Sequence, residues 1–202
     1  MMIERDRKKN PLILEGNTVI LKEVLPIYFP YVIEWRNNPE LNRFLNQPFV
    51  LTMELEQKWY EEKYLPDPAQ GFMIVIDKKS GKPMGTQGWA NMDFVAKKCT
   101  GERLILGDRN FKGAPSFLES FFTLGDYLYQ FVDVMYTHVV KQNKHTLNLN
   151  FMLGYKINAG EIQYPEELFV NGMEQIEIYR TKEMYQTAKT RIFERFKKSL
   201  FS

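Results

Sequence analysis

What the sequence lacks sets the first limits. Its 202 residues include one cysteine, Cys99, and two histidines, His138 and His145. A lone cysteine closes no internal disulfide, and this ligand set is too thin for a zinc site, so no metal is expected. A cytoplasmic protein is the simplest reading of such sparse cysteine. No run of about 18 apolar residues is present, so no helical membrane span is expected. The formal net charge is only +2, without the concentrated basic surface that marks a nucleic-acid binder. The opening segment MMIERDRKKN is charged and has no apolar stretch, unlike a secretory signal. There is no internal repeat and no low-complexity tract.

Aromatic residues, by contrast, are plentiful. Fifteen Phe and eleven Tyr, within a hydrophobic share of 44%, can fill a sizeable core. The chain reads as a single domain over residues 1–202, with a core from about 17 to 181 and a helical extension from about 182 to 199.

TVILKEVL (Thr18 to Leu25) is β-branched and predicts a first strand. YVIEWRNNPELNRFLN (Tyr31 to Asn46) predicts a helix, a break at Asn37-Asn38-Pro39, and a second short helix, because proline suits a first helical turn and not an interior. Thr52 offers an N-cap to LTMELEQKWYEEKY. GFMIVID and KPMGTQGWANMD flank the polar KKSG, a hairpin signature. ERLILGD (Glu102 to Asp108) predicts another strand. Phe117, Phe121, Leu124, Leu128 and Phe131 then recur at helical spacing across roughly Pro115 to Phe131. The aromatic stripe of that helix, with Phe122 and Tyr127, reads as core. MYTHVVKQN predicts a strand, KHTLNLNFMLGY a short helix stopped at Gly154, and QIEIYRT a last strand. The final helix carries Lys182, Lys189, Arg191, Arg195, Lys197 and Lys198. These read as a solvated face, with a dimer arm or an acidic-ligand contact as the alternatives. This order predicts a mixed sheet with helices on its faces, in the α/β or α+β class.

DRNFKGAPSFLESFF (Asp108 to Phe122) can be read in two ways. Gly113 tolerates positive φ, and its missing side chain lets a ligand approach the backbone. Pro115 suits the first helical position. The amides of Lys112, Gly113, Ala114 and Ser116 could then converge on an anion at the helix N-terminus. Equally, the stretch could be a strand-to-helix turn that holds nothing.

Taken in order, these features resemble the GNAT acetyltransferase superfamily. The resemblance spans about Asn17 to Thr181. In that family a Q/R-x-x-G-x-G/A loop holds the pyrophosphate of acetyl-CoA. Asn110, Gly113 and Pro115 occupy those three positions here, and only the middle glycine is kept. YVIEWRNNPELNRFL resembles the WRN helix of the branch with ribosomal-protein N-terminal acetyltransferases and nucleotide-amino-sugar acetyltransferases. KSGKPMGTQGW resembles the family hairpin, with Gly85 in place. VVKQNKHTLNLNFMLGY aligns Asn143 and Gly154-Tyr155 with the V-x-x-x-N…L-G-F/Y block.

The resemblance implies a mostly antiparallel central sheet in which the family's fourth and fifth strands splay apart to admit the pantetheine arm. It implies acetyl-CoA as cosubstrate and no metal. It places a backbone oxyanion donor around Leu106, Gly107 or Asp108, with Gly107 the leading choice. Asn143 would bond the arm or a nearby backbone group, with a strand-end cap as the alternative. Glu102 is the first candidate base, through water, and otherwise a solvated carboxylate; Asp93 and His138 are weaker choices. The family's acid tyrosine is replaced by Asn150, and Tyr155 reads as core. Trp35, Arg36 and Asn37 would line the acceptor pocket, with core packing and a surface ion pair as the alternative. The expected acceptor is a small amine, first an amino sugar on a nucleotide, then a protein N-terminus or a polyamine. A homodimer and a non-catalytic GNAT-shaped binding domain stay open.

Overall fold

The structure is a computed structural model describing residues 6–45 and 47–200, and the side chains of all of these except Val170 and 196–200. Lys197 and Lys198 of the basic C-terminal face therefore lie outside the described side chains.

The strands are β1 (Ile13–Glu15), β2 (Val19–Glu23), β3 (Gly71–Asp77), β4 (Pro83–Asp93), β5 (Lys98–Leu106), β6 (Val134–Val140), β7 (Lys156–Ile157), β8 (Phe169–Val170) and β9 (Met173–Thr181). The helices are α1 (Phe29–Asn37), α2 (Pro39–Asn42), α3 (Met53–Trp59), α4 (Pro115–Leu128), α5 (Lys144–Met152) and α6 (Lys182–Leu200). The main sheet runs β1-β2-β3-β4-β5-β6-β9-β7, and β8 pairs with β9. Every neighbouring pair is antiparallel except β5 and β6. This is the expected mixed, mostly antiparallel sheet with helices on both faces.

Two apolar clusters sandwich the sheet. One gathers Cys99, Met135, Val139 and Ile178 beneath Phe117, Phe122, Leu124 and Leu128 of α4, with Leu147 of α5 and Tyr185 and Ile192 of α6. The other gathers Phe72, Ile74, Ile76 and Ile105 beneath Val32 and Trp35 of α1 and the aromatics that follow α3. The Phe117–Phe122 stripe is core, as its period predicts. The C-terminal helix is more firmly seated than an extension would be: Tyr185 is wholly buried and its hydroxyl donates to Asp126 (2.7 Å). Lys189 of the basic face pairs with Asp126 (2.6 Å), and Arg191 donates to the Met152 carbonyl (2.7 Å).

Sequence signals fix the helix ends. Asn38 caps α2 by accepting from the Glu40 amide, Pro39 takes the first turn, and the Thr52 hydroxyl accepts from the Leu55 amide. After α3 the chain widens into a π turn, Tyr60–Tyr64. There the Tyr64 hydroxyl donates to buried Glu23 (2.8 Å) and accepts from the Phe72 amide (3.0 Å).

The feature that makes room for a site is in β5. It pairs with β6 over three registers only, Lys98 to Thr100 against Val134 to Tyr136. Beyond them the two strands part, and the Thr137 hydroxyl crosses to the Gly101 carbonyl (2.6 Å) at the fork. Against β4 the register steps from Gly88–Glu102 to Thr86–Ile105, so that Arg103 and Leu104 together face the single residue Gln87. This is a bulge, and Arg103 within it has φ +59°. Glu102 and Arg103 consequently point to the same side. The Thr100 hydroxyl donates to Glu102 (2.9 Å), and the Arg103 guanidinium lies over Trp59 and Phe72.

Candidate functional site

The turn after β5 is built around an open amide cluster. Asp108 caps a short 3-10 turn, Arg109–Phe111, by accepting from the Asn110 amide (2.9 Å). That turn closes on itself: the Lys112 amide donates to the Arg109 carbonyl (3.0 Å) and the Ala114 amide to the Phe111 carbonyl (2.9 Å). Two of the four amides expected to converge on an anion are thus already engaged. The amides of Gly113, Ser116 and Phe117 make no hydrogen bond among the described residues. Gly113 has φ +77°, and a side chain there would meet nothing within 4 Å. The N-cap of α4 is Ala114, which offers no capping oxygen, and Pro115 occupies the first turn. An uncapped helix of 14 residues with three free amides and a clear approach is suited to an anion. Lys112 adds an exposed cation. The Ser116 side chain turns inward onto the Met84 sulfur (3.4 Å), so this residue has only its amide to offer.

The end of β5 discriminates among the expected oxyanion donors. The amides of Gly107 and Asp108 both donate to the Met84 carbonyl, at 2.9 and 3.0 Å. Gly107 is therefore not a free donor. Its lack of a side chain serves Trp35, whose indole would lie 2.0 Å from an added Cβ. With Gly107 facing β4, the alternation of an extended strand turns the Leu106 amide to the other edge, into the fork. Leu104 shares that parity.

The acceptor-side expectations divide in the same way. Trp35 is 5% exposed and packs in the core rather than lining a pocket. Asn37 is a clamp: its Nδ2 donates to the Leu51 carbonyl and its Oδ1 accepts from the Leu51 amide, both at 2.8 Å. Arg36 donates through Nε to Gln47 (2.6 Å), while its Nη atoms make no hydrogen bond among the described residues. Glu102 is half-buried on this face, hydrogen-bonded to Thr100 and 3.9 Å from Arg103. Asn143 caps α5 by accepting from the Thr146 amide (3.2 Å). Asp93 holds the turn after β4 by accepting from the Val95 and Ala96 amides.

His138 lies buried against Glu177 (3.1 Å), which also accepts from Asn158 and from the amides of Gln163 and Tyr164. These bonds hold the Glu177 carboxyl below its ordinary range, against a burial effect that acts in the other direction. Tyr155 is buried beside Arg180, and Asn150 bonds the Thr146 carbonyl within its own helix.

One residue escaped the sequence reading. Glu56 of α3 is 4% exposed and accepts no hydrogen bond among the described residues. Burial pushes its carboxyl up, and Arg36 and Arg103 pull it back in part. Its signal in the sequence was a glutamate on the apolar stripe of a short amphipathic helix, three residues before Trp59.

Among the described residues no group of three metal-ligating side chains forms, and no helix is long and apolar enough to cross a membrane.

A splayed parallel strand pair beside an uncapped helix defines the fold class: the chain has the fold of the GNAT acetyltransferases. Spermidine N-acetyltransferase from Vibrio cholerae, solved with CoA and spermine, superposes with a TM-score of 0.68 at 16% identity, over 85% of this chain and 99% of that one. FdhC, a nucleotide-linked sugar GNAT solved in its apo form, gives 0.70 at 16% identity, over 91% and 97%. A GCN5-related N-acetyltransferase from Brucella melitensis gives 0.68 at 16% identity, over 90% and 85%. No family model and no curated protein matches the sequence.

Proposed function

We propose that the chain is an acetyl-CoA-dependent N-acetyltransferase acting on the primary amine of a small molecule, an amino sugar carried on a nucleotide. The observation that carries this reading is the open amide cluster of Gly113, Ser116 and Phe117 at the end of a strand that has parted from its neighbour. The cluster would hold the pyrophosphate, and the edge of β5 beyond Gly101 would bond the pantetheine arm. Bound acetyl-CoA supplies an acyl thioester, already activated toward an amine. Leu106 would offer its free amide at the fork to an oxygen that gains negative charge. Glu102 would accept the proton of the acceptor ammonium through water.

The nucleotide-sugar acceptor is supported by Arg36, whose Nη atoms are available to a phosphate, and by exposed Tyr31 and Phe49 at the mouth of the α1 side. A polyamine or a protein N-terminus is the alternative acceptor; the likeness to a spermidine enzyme supports the former. Calorimetric titration with acetyl-CoA, desulfo-CoA and free nucleotide tests the reading. Micromolar binding that requires the pyrophosphate is expected. No binding at millimolar acetyl-CoA would leave a GNAT-shaped binding domain without the transfer activity.

A further inference from the structure

The face of β5 that carries Glu102 and Arg103 is covered by α1 and α3, and three charged side chains meet beneath that cover. Arg103 makes three hydrogen bonds here: its Nη1 donates to the carbonyls of Trp89 (2.8 Å) and Gly71 (3.3 Å), and its Nη2 donates to Gln70. Arg36 is tied at one nitrogen to Gln47. Glu56 stands between them, without an ion pair to either within 4.0 Å and without a hydrogen bond. Among the described residues the sealed polar atoms that lack a partner are Tyr60 Oη and Trp89 Nε1, so the Glu56 oxygens retain an opening.

A carboxylate removed from water with no donor on it is costly. Buried carboxylates elsewhere in this chain are fully served. Glu23 accepts from the Leu12 amide and Tyr64, Glu119 from the Asn17 and Thr18 amides, and Glu177 from four groups. Glu56 is the exception among them, and it faces the side of the sheet on which the acceptor would approach.

We propose that Glu56 receives the ammonium group of the acceptor and so selects a cationic amine for this site. Arg36 and Arg103 offset part of the burial effect on this carboxyl, and its hydrogen-bonding capacity stays open. This inference rests on the acyltransferase reading.

The test is carboxyl carbon-13 NMR of glutamate-labelled protein with CoA added. Glu56→Gln, which keeps the volume and the fold, assigns the Glu56 line. n-Propylammonium, spermidine and a nucleoside-diphosphate amino sugar are titrated in turn, with n-propanol as the neutral control. A saturable shift of the Glu56 line with an amine, absent with n-propanol, is expected, and the line should then titrate at lower pH. In binding measurements on whichever amine shifts it, Glu56→Gln should weaken the amine about 10- to 100-fold, as for a lost charged hydrogen bond, with CoA affinity unchanged. A Glu56 line that no amine moves, or that n-propanol moves equally, overturns the proposal. CoA binding in the same samples reports on the acyltransferase reading separately: its loss there, with the amine response intact, would refute that reading and not the cation site.

Discussion

Gly113→Ala and Gly113→Asp differ by one carboxylate at a position where the fold makes no objection to a side chain. Nothing lies within 4 Å of an added Cβ, so alanine brings only the strain of φ +77°, about 1–2 kcal/mol. Both variants should therefore fold. The carboxylate would stand roughly 6 Å from a phosphate bound at the Gly113, Ser116 and Phe117 amides. With an effective dielectric of about 40, between the values for a protein surface and for water, each pair of charges repels by about 1.4 kcal/mol. Two phosphate charges then weaken CoA about 100-fold. Calorimetry at low salt should show this loss for Gly113→Asp, a much smaller one for Gly113→Ala, and a gap that narrows as salt screens it. Wild-type affinity in Gly113→Asp would refute the phosphate turn. Equal losses in the two variants would trace the effect to backbone strain instead.

Glu102→Gln should lower turnover most at pH values below the pKa of the acceptor ammonium; a pH–rate profile that overlays the wild type would remove Glu102 as base. Glu177→Gln should destabilise the fold by about 3 kcal/mol at neutral pH, as a broken buried charged network does. The Glu177 carboxyl is held below its ordinary value of 4.5, so its contribution is present above that value and fades as pH falls. The deficit in urea denaturation should shrink accordingly in acid. Glu56 has the opposite sign: burial holds its carboxyl above 4.5, so its charge costs stability as pH rises. Glu56→Gln should raise the melting temperature at neutral pH, and the gain should vanish in acid; a melting temperature lowered at neutral pH would contradict the unpartnered state of this carboxylate.

The parts of the fold written in local chemistry were legible. Pro39, Thr52, Pro115 and Gly154 end or start helices where their backbone preferences require, and the KKSG turn joins β3 to β4. The strand β5 begins at Lys98, four residues before the predicted start, because pairing with β4 and β6 overrides the polar, glycine-containing Lys98 to Gly101 segment. β1, β7 and β8 are two or three residues long and leave no period to detect. The site was less legible for a related reason. Whether an amide is free depends on which carbonyl lies opposite, and no side-chain pattern records that Met84 takes the amides of both Gly107 and Asp108. Trp35 carries the same aromatic ring whether it lines a pocket or covers a glycine. Glu56 looked like an ordinary helix glutamate until its neighbours were in place.

The contact of Trp35 with Gly107 has a mechanical meaning. Its indole fastens α1 to the end of the strand that leads into the amide turn. A second tie, the Arg109–Glu40 ion pair, joins that turn to α2. The α1–α2 segment and the amide turn are thus joined at two points, one packed and one at the surface. On the proposed reading, with the acceptor beside α1 and CoA at the amide turn, a substitution in α1 belongs in an assay that reads CoA as well.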